Sequence, residues 1–315
     1  MGALSHVRVL DLSRVLAGPF CTQMLGDLGA DVVKVERPGT GDDTRGWGPP
    51  FAPDGLSAYF IAANRNKRSV ALDLKSPAAR EAVRRLAARS DVLVENFRSG
   101  HLESLGLGYG ELSAANHALV YCSITGFGSN GPRAREPGYD FLIQAMGGLM
   151  AITGEPEGEP MKVGVAVADL FAGALAAVAI LAALASRSVT GRGQRVDLSL
   201  YDAQLTMLAN VASNFLVSGA PPARFGNAHP NIVPYQTFAA RDGRFALAAG
   251  SDAQWRALCL ELGRADWAED PALQTNAGRV GSRETLVPAL GRCFESMTVE
   301  EAVRLCQRAG VPAGP

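Results

Sequence analysis

Short apolar runs alternate with amphipathic stretches over the first two-thirds of the chain. "HVRVLDL" (6–12), "DVVKVE" (31–36), "RSVALDL" (68–74), "DVLVENF" (91–97) and "HALVYCSITGF" (117–127) are rich in Val, Leu and Ile and short enough for strands. Between them, "AGPFCTQMLGDLGA" (17–30), "SPAAREAVRRLAARS" (76–90) and "YDFLIQAMGGLMAIT" (139–153) read as helices. Ser76 as N-cap and Pro77 at the first helical position mark where the second of these begins. Such alternation predicts an open, mostly parallel sheet with helices on both faces.

"KVGVAVADLFAGALAAVAILAAL" (162–184) predicts a long helix and contains one acid, Asp169. Its uninterrupted part, residues 170–185, is short of the roughly 20 residues that span a bilayer. It is also Ala-rich, so a helix buried in a soluble core is the expectation, with no membrane partner. A further strand and helix carry the large domain to about residue 218. The turn-rich stretch 219–229 reads as a linker. Residues 230–315 read as a smaller α+β domain, opening on a hairpin around Asp242-Gly243.

A net charge of −1 gives no electrostatic case for nucleic acid or an anionic membrane, so any anionic ligand needs a local patch. Five scattered cysteines without a CxxC suit free thiols. With no signal peptide in "MGALSHVRVLDLSR", the expected compartment is the cytoplasm. Four isolated histidines offer no metal spacing. "GFGSNG" (126–131) matches G-x-G-x-x-G, but two prolines follow where a helix must begin, so a glycine loop is the better reading. There is no G-x-x-x-x-G-K and no G-x-S-x-G.

What remains is Asp169 and a set of basic residues. "NRNKRS" (64–69), Lys75 and Arg37 lie just before or after strands. Singly each reads as a solvated surface residue; as a group they could hold the phosphates of an anionic cofactor. Asp169, taken alone, reads at least as well as a helix N-cap as it does as a reactive group.

Several long stretches resemble the class III CoA-transferase family, the formyl-CoA transferase and carnitine CoA-transferase group. They are "VLDLSRVLAGPFCTQMLGDLGADVVKVERPGTGDDTRGWGPPF", "NRNKRSVALDLKS", "VLVENFRSG", "SITGFGSNGP" with "GYD", "DLFAG…GRGQRVDLSLYDA" and "GVPAGP". The match covers essentially the whole chain and implies a Rossmann-like large domain. "GDDTRGWGPPF" and "GNAHPNIVPYQTF" are most like the branch that moves CoA between succinyl-CoA and glutarate.

The resemblance makes Asp169 the nucleophile that forms an aspartyl anhydride and then an aspartyl-CoA thioester. CoA esters are then substrates, with no permanently bound cofactor and no metal. It places Arg37 on the adenine side. Leu72, Lys75, Asn96, Phe97 and Arg98 line the nucleotide and pantetheine, and Gly138, Tyr139 and Asp140 flank the thioester end. For Leu72 and Phe97, ordinary core packing is nearly as good a reading. Arg14, Arg45 and His229 are candidates for the free carboxylate of a dicarboxylic acceptor, and His229 reads equally well as a loop histidine bonded to backbone.

Two alternatives stand beside transfer. One is an α-methylacyl-CoA racemase-like epimerase, whose proton-shuttling histidine would fall where Tyr139 stands; a phenol with a pKa near 10 suits that role poorly. The other is a CoA-ester binding protein without turnover, which would have no use for an acid at Asp169. The family's chain continues past "AGVPAGP" and returns to the large domain in an interlocked homodimer. The expectation is therefore a homodimer in the full-length protein.

Overall fold

The computed structural model describes residues 2–315. They form two compact units: one runs to Ala151 and takes in Lys162–Ser213, and the other is Ile152–Met161 with Asn214–Pro315.

The first unit begins with β1 (Arg8–Asp11), α1 (Ala17–Asp27), β2 (Asp31–Glu36), α2 (Ala58–Asn64) and β3 (Lys67–Ala71). It continues through α3 (Pro77–Ala87), β4 (Val92–Glu95), α4 (His101–Ser104), α5 (Tyr109–Ala115) and β5 (Val120–Thr125). α6 (Asp140–Met146), α7 (Val167–Thr190), β6 (Arg195–Ser199) and α8 (Leu200–Met207) follow, and α9 (Ala209–Ser218) carries the chain into the second unit. All six strands are parallel, in the order β3-β2-β1-β4-β5-β6. This is the doubly wound Rossmann order, in which the connections diverge between β1 and β4 and leave a crevice at their carboxyl ends.

Alternation along the strands sends side chains to two cores, as a sheet covered on both faces requires. Val9, Val32, Val92 and Cys122 pack on one face against α1 and α7. Leu10, Val35, Leu93 and Tyr121 face the other with Val83 of α3 and Leu112 of α5. α7 is long and apolar enough, by length and composition, to cross a membrane. Its buried stripe is alanine, however: Ala168, Ala172, Ala176 and Ala183 lie in the first core, while Val178 and Val189 are exposed. Small side chains bring α7 close to α1. A Cβ on Gly173 would lie 2.6 Å from the Ala17 carbonyl oxygen.

In the second unit, β7 (Tyr235–Ala240) and β8 (Gly243–Ala248) form an antiparallel hairpin with Ala240 opposite Gly243, so Arg241 and Asp242 make the turn. α10 (Asp252–Glu261), α11 (Ala265–Glu269), α12 (Asn276–Gly281), α13 (Arg283–Phe294) and α14 (Val299–Arg308) follow. β9 (Ala313–Gly314) then returns to pair with β8. Trp255, Phe238, Phe245, Phe294 and Leu290 centre this core. Residues 152–161 join it through Arg224, which donates to the carbonyls of Glu155 (3.0 Å) and Gly158 (2.6 Å). Nothing in their composition marks them as part of this unit.

Candidate active site

The loops leaving β1 and β4 are tied together across the crevice. Asn96 Oδ1 accepts the Arg14 N–H and Asn96 Nδ2 donates to the Arg14 carbonyl, both at 2.7 Å. The next residue, Val15, has φ +67°. That is left-handed backbone, which a β-branched residue seldom adopts.

Two cavities open beside this clasp. The larger, about 380 Å³, is lined by Arg37, Leu72, Lys75 and His101, among others. The smaller, about 150 Å³, is lined by Val15, Asn96, Thr125, Gly138, Tyr139 and Asp169. Arg14, Phe97 and Arg98 belong to both walls, so the two adjoin. A cationic outer chamber thus lies next to the cavity that holds Asp169. Leu72 and Phe97 also pack against the second core, so lining and packing are combined in the same side chains.

Asp169 is the third residue of α7 and does not cap it. The N-cap position is Ala166, which has no side chain for the purpose. Asp140, the first residue of α6, does this instead: its Oδ1 accepts the Ala168 N–H at 2.8 Å and the Asp169 N–H at 3.4 Å. Gln144 Nε2 donates to the other oxygen of Asp140 at 2.7 Å. Among the described residues no donor reaches the Asp169 carboxylate. Burial, and then the neighbouring Asp140 charge, push its pKa up to about 7. An under-solvated carboxylate of this kind gains nucleophilicity when ionised.

Other neighbours of Asp169 carried little sequence signal. Tyr59 of α2 lies close enough that the Asp169 charge, after burial, raises its pKa, and Trp47 packs edge-on to it at 5.1 Å. The glycines of "GFGSNG" shape the wall without binding a nucleotide through a helix: a Cβ on Gly126 would lie 2.6 Å from the Gly138 Cα. Glycine at both positions is what lets these loops touch.

Below the crevice lies a buried ionic network. Asp11 accepts from Thr22 Oγ1 (2.7 Å), Lys67 Nζ (3.1 Å) and Ser13. Burial opposes its ionisation, but Lys67 and Lys34, with the Ser13 and Thr22 bonds, more than offset it and hold the pKa well below the usual range. Lys34 Nζ pairs with Asp42 at 3.0 Å and donates to the Ser13 carbonyl at 2.8 Å. Both Lys34 and Asp42 are buried.

This network corrects the expected basic cluster. Lys67 is consumed by Asp11, Arg65 pairs with Asp27, and Arg68 pairs with Asp31, the first residue of β2. Their backbone precedes β3 or begins it, at the amino ends of the strands, and the Lys67 side chain, which does extend to the carboxyl end of β1, is held there by Asp11. Arg37 and Lys75 follow strands and line the large cavity, with Arg37 paired to Asp43. Arg14 Nη1 is 3.7 Å from the same carboxylate and its guanidinium sits 4.9 Å from the Phe97 ring centre.

Arg45 is not free for a ligand. Its Nε and Nη2 each donate to Glu36 at 2.7 Å, and it stacks on Phe60 at 3.8 Å. Burial of Glu36 is outweighed by the Arg45 and Ser69 bonds, which lower its pKa to about 2. His229 lies in the second unit, where its Nδ1 accepts the Asn231 N–H at 3.0 Å and its ring packs on Tyr235 at 5.2 Å. This is the backbone-bonded loop arrangement.

A family model described as CoA-transferase family III matches residues 4–315. The chain is 48% identical to a succinate–glutarate CoA-transferase of Agrobacterium fabrum, over 99% of this chain and 79% of that protein. It is 45% identical to the mouse succinyl-CoA:glutarate CoA-transferase, over 100% of this chain and 72% of that protein. Among solved structures, a CAIB/BAIF family protein from Brucella suis superposes with a TM-score of 0.85 at 49% identity, covering all of this chain and 84% of that one.

Proposed function

The chain belongs to CoA-transferase family III and is a CoA-transferase that uses CoA thioesters as substrates, and we propose that it moves CoA from succinyl-CoA to a short dicarboxylic acid such as glutarate through covalent intermediates on Asp169. The observation that carries the covalent step is Asp169 itself, a carboxylate that no donor among the described residues reaches, in a cavity that adjoins a cationic chamber. The substrate pair rests on the named activities of the most similar relatives cited above.

The reaction conserves its thioester. An Asp169 oxygen attacks the succinyl carbonyl, the C–S bond breaks and CoA thiolate leaves, giving an aspartyl-succinyl anhydride. The thiolate attacks the aspartyl carbonyl, succinate departs, and an aspartyl-CoA thioester remains. Glutarate attacks that thioester through one carboxylate and again releases thiolate. Attack of thiolate on the glutaryl carbonyl then yields glutaryl-CoA and restores Asp169. No water enters and no net proton moves, so a partly dry pocket protects both intermediates from hydrolysis. Arg37 and Lys75 hold the phosphates in the outer chamber, and Asn96, Phe97 and Arg98 form the passage for pantetheine.

Epimerisation through a histidine–aspartate pair finds no support in this geometry. Among the described residues no histidine lines the Asp169 cavity; His101 lines the other one.

The substrate assignment is tested by offering succinyl-CoA with glutarate, succinate, malate, itaconate and a monocarboxylate of glutarate's length. The dicarboxylates are expected to be the better acceptors. Equal use of the monocarboxylate contradicts a dicarboxylate site.

A further inference from the structure

Three non-glycine residues among those described have positive φ: Val15, Asn66 and Ala209. Only Val15 is β-branched, and it lines the cavity of Asp169. Left-handed backbone at such a residue persists only where its surroundings over-determine it. Here they do, through ties on three consecutive residues. Lys34 Nζ holds the Ser13 carbonyl, Asn96 holds both backbone groups of Arg14, and Asp42 accepts the Val15 N–H with both oxygens at 3.3 Å.

Asp42 is built for this task. Its carboxylate is fixed by Lys34 (3.0 Å) and by the hydroxyl and N–H of Thr44 (2.8 and 3.0 Å), while Glu36 accepts its own N–H at 2.8 Å. Immediately after Val15 the chain enters α1, whose N-terminus has no side-chain cap. The first amides of a helix have no acceptor within it. Val15, Leu16 and Ala17 all line the Asp169 cavity, so the φ of Val15 sets where this stretch of backbone faces the reacting carboxylate.

We infer that Asp42 is a positioning residue for acyl transfer: acting through the Val15 N–H, it keeps the 13–17 loop in the conformation that completes the Asp169 pocket. It touches no reacting atom. The inference rests on Asp169 being the reacting group, so Asp169→Ala belongs in the same set of variants.

The test is a cycle of Asp42→Ala, Val15→Gly and the double variant, assayed for kcat and for KM of succinyl-CoA. Loss of the tie in Asp42→Ala is expected to lower kcat by about tenfold or more, because small misplacements of catalytic surroundings are costly. Asp42 also lines the outer chamber, so KM should change as well, but by less than kcat falls. Glycine adopts positive φ without strain. Val15→Gly in the Asp42→Ala background should therefore recover most of the lost kcat, whereas a loss caused by general unfolding would not be recovered this way. Hydrogen exchange of the Val15 amide in the unaltered protein gives a readout independent of whether Asp42→Ala folds: strong protection is expected. A normal kcat in Asp42→Ala, a loss that Val15→Gly leaves in place, or an unprotected Val15 amide overturns the inference. If Asp169→Ala is inactive while Asp42→Ala is normal, only this inference fails; if Asp169→Ala is active, the proposed mechanism fails with it.

Discussion

Asp140 Oδ1 accepts the N–H of Asp169 at 3.4 Å and that of Ala168 at 2.8 Å, so one carboxylate caps the helix that carries the other. The cap leaves the side chain of Asp169 free, and the charge of Asp140 works against its ionisation. Asp140→Asn keeps an acceptor for the cap and removes that charge. The acid limb of its pH–kcat/KM profile should move to lower pH. Asp140→Ala loses the acceptor as well and should destabilise the fold by about 1 kcal/mol. An unmoved limb in Asp140→Asn would separate the two carboxylates electrostatically.

The pKa of Asp169 has opposite consequences for activity and stability. Transfer needs the carboxylate, so activity should rise with pH through about 7. Folded Asp169 keeps its proton up to about pH 7, whereas the unfolded group loses it near 3.8. Between these values the folded state binds more protons, and stability falls as pH rises. At full ionisation the cost is at most about 4 kcal/mol, and less where water reaches the carboxylate. Asp169→Asn should accordingly melt higher than the unaltered protein above about pH 8, with the difference fading toward pH 4. A variant that melts lower at alkaline pH would show that the site stabilises the anion.

Gly173 lies one turn beyond Asp169, where a Cβ would come within 2.6 Å of the Ala17 carbonyl oxygen. In an open helix, alanine is the more stable choice by about 0.5–1 kcal/mol. Here Gly173→Ala should lower the melting temperature and kcat together, because α7 must move off α1 at the Asp169 pocket. A gain in stability would refute the close approach.

Arg37 and Lys75 line the outer chamber and are exposed. Arg37→Ala and Lys75→Ala should each raise KM for the CoA ester by about tenfold, the scale of a charge-assisted hydrogen bond. Arg37 is the stricter test, since it must exchange Asp43 for the ligand. Unchanged KM in both variants would make the chamber a solvated surface.

Much of this arrangement is legible in the sequence where the signal is local. Strand runs, the start of α3 at Pro77 and the isolation of Asp169 all follow from neighbours along the chain, as does the β7–β8 hairpin, although its turn falls at 241–242, one residue before the expected pair. What depends on distant pairing is not. Nothing local tells that Asp140, 29 residues away, takes over the capping that Asp169 itself suggests. The basic run 64–69 failed for a topological reason: residues that precede a parallel strand lie at its amino end, while ligands gather at the carboxyl ends. Arg14, Arg37, Lys75 and Asn96 all follow strands, and all reach the crevice.

Covalent capture at Asp169 tests the central claim most directly. The protein is incubated with succinyl-CoA and hydroxylamine, digested, and the peptide containing residue 169 is analysed by mass spectrometry. An anhydride or thioester at Asp169 reacts with hydroxylamine, so the account predicts a hydroxamate at that residue, dependent on succinyl-CoA and absent from Asp169→Asn. An unmodified Asp169 in a protein that is exchanging CoA under the same conditions would contradict it.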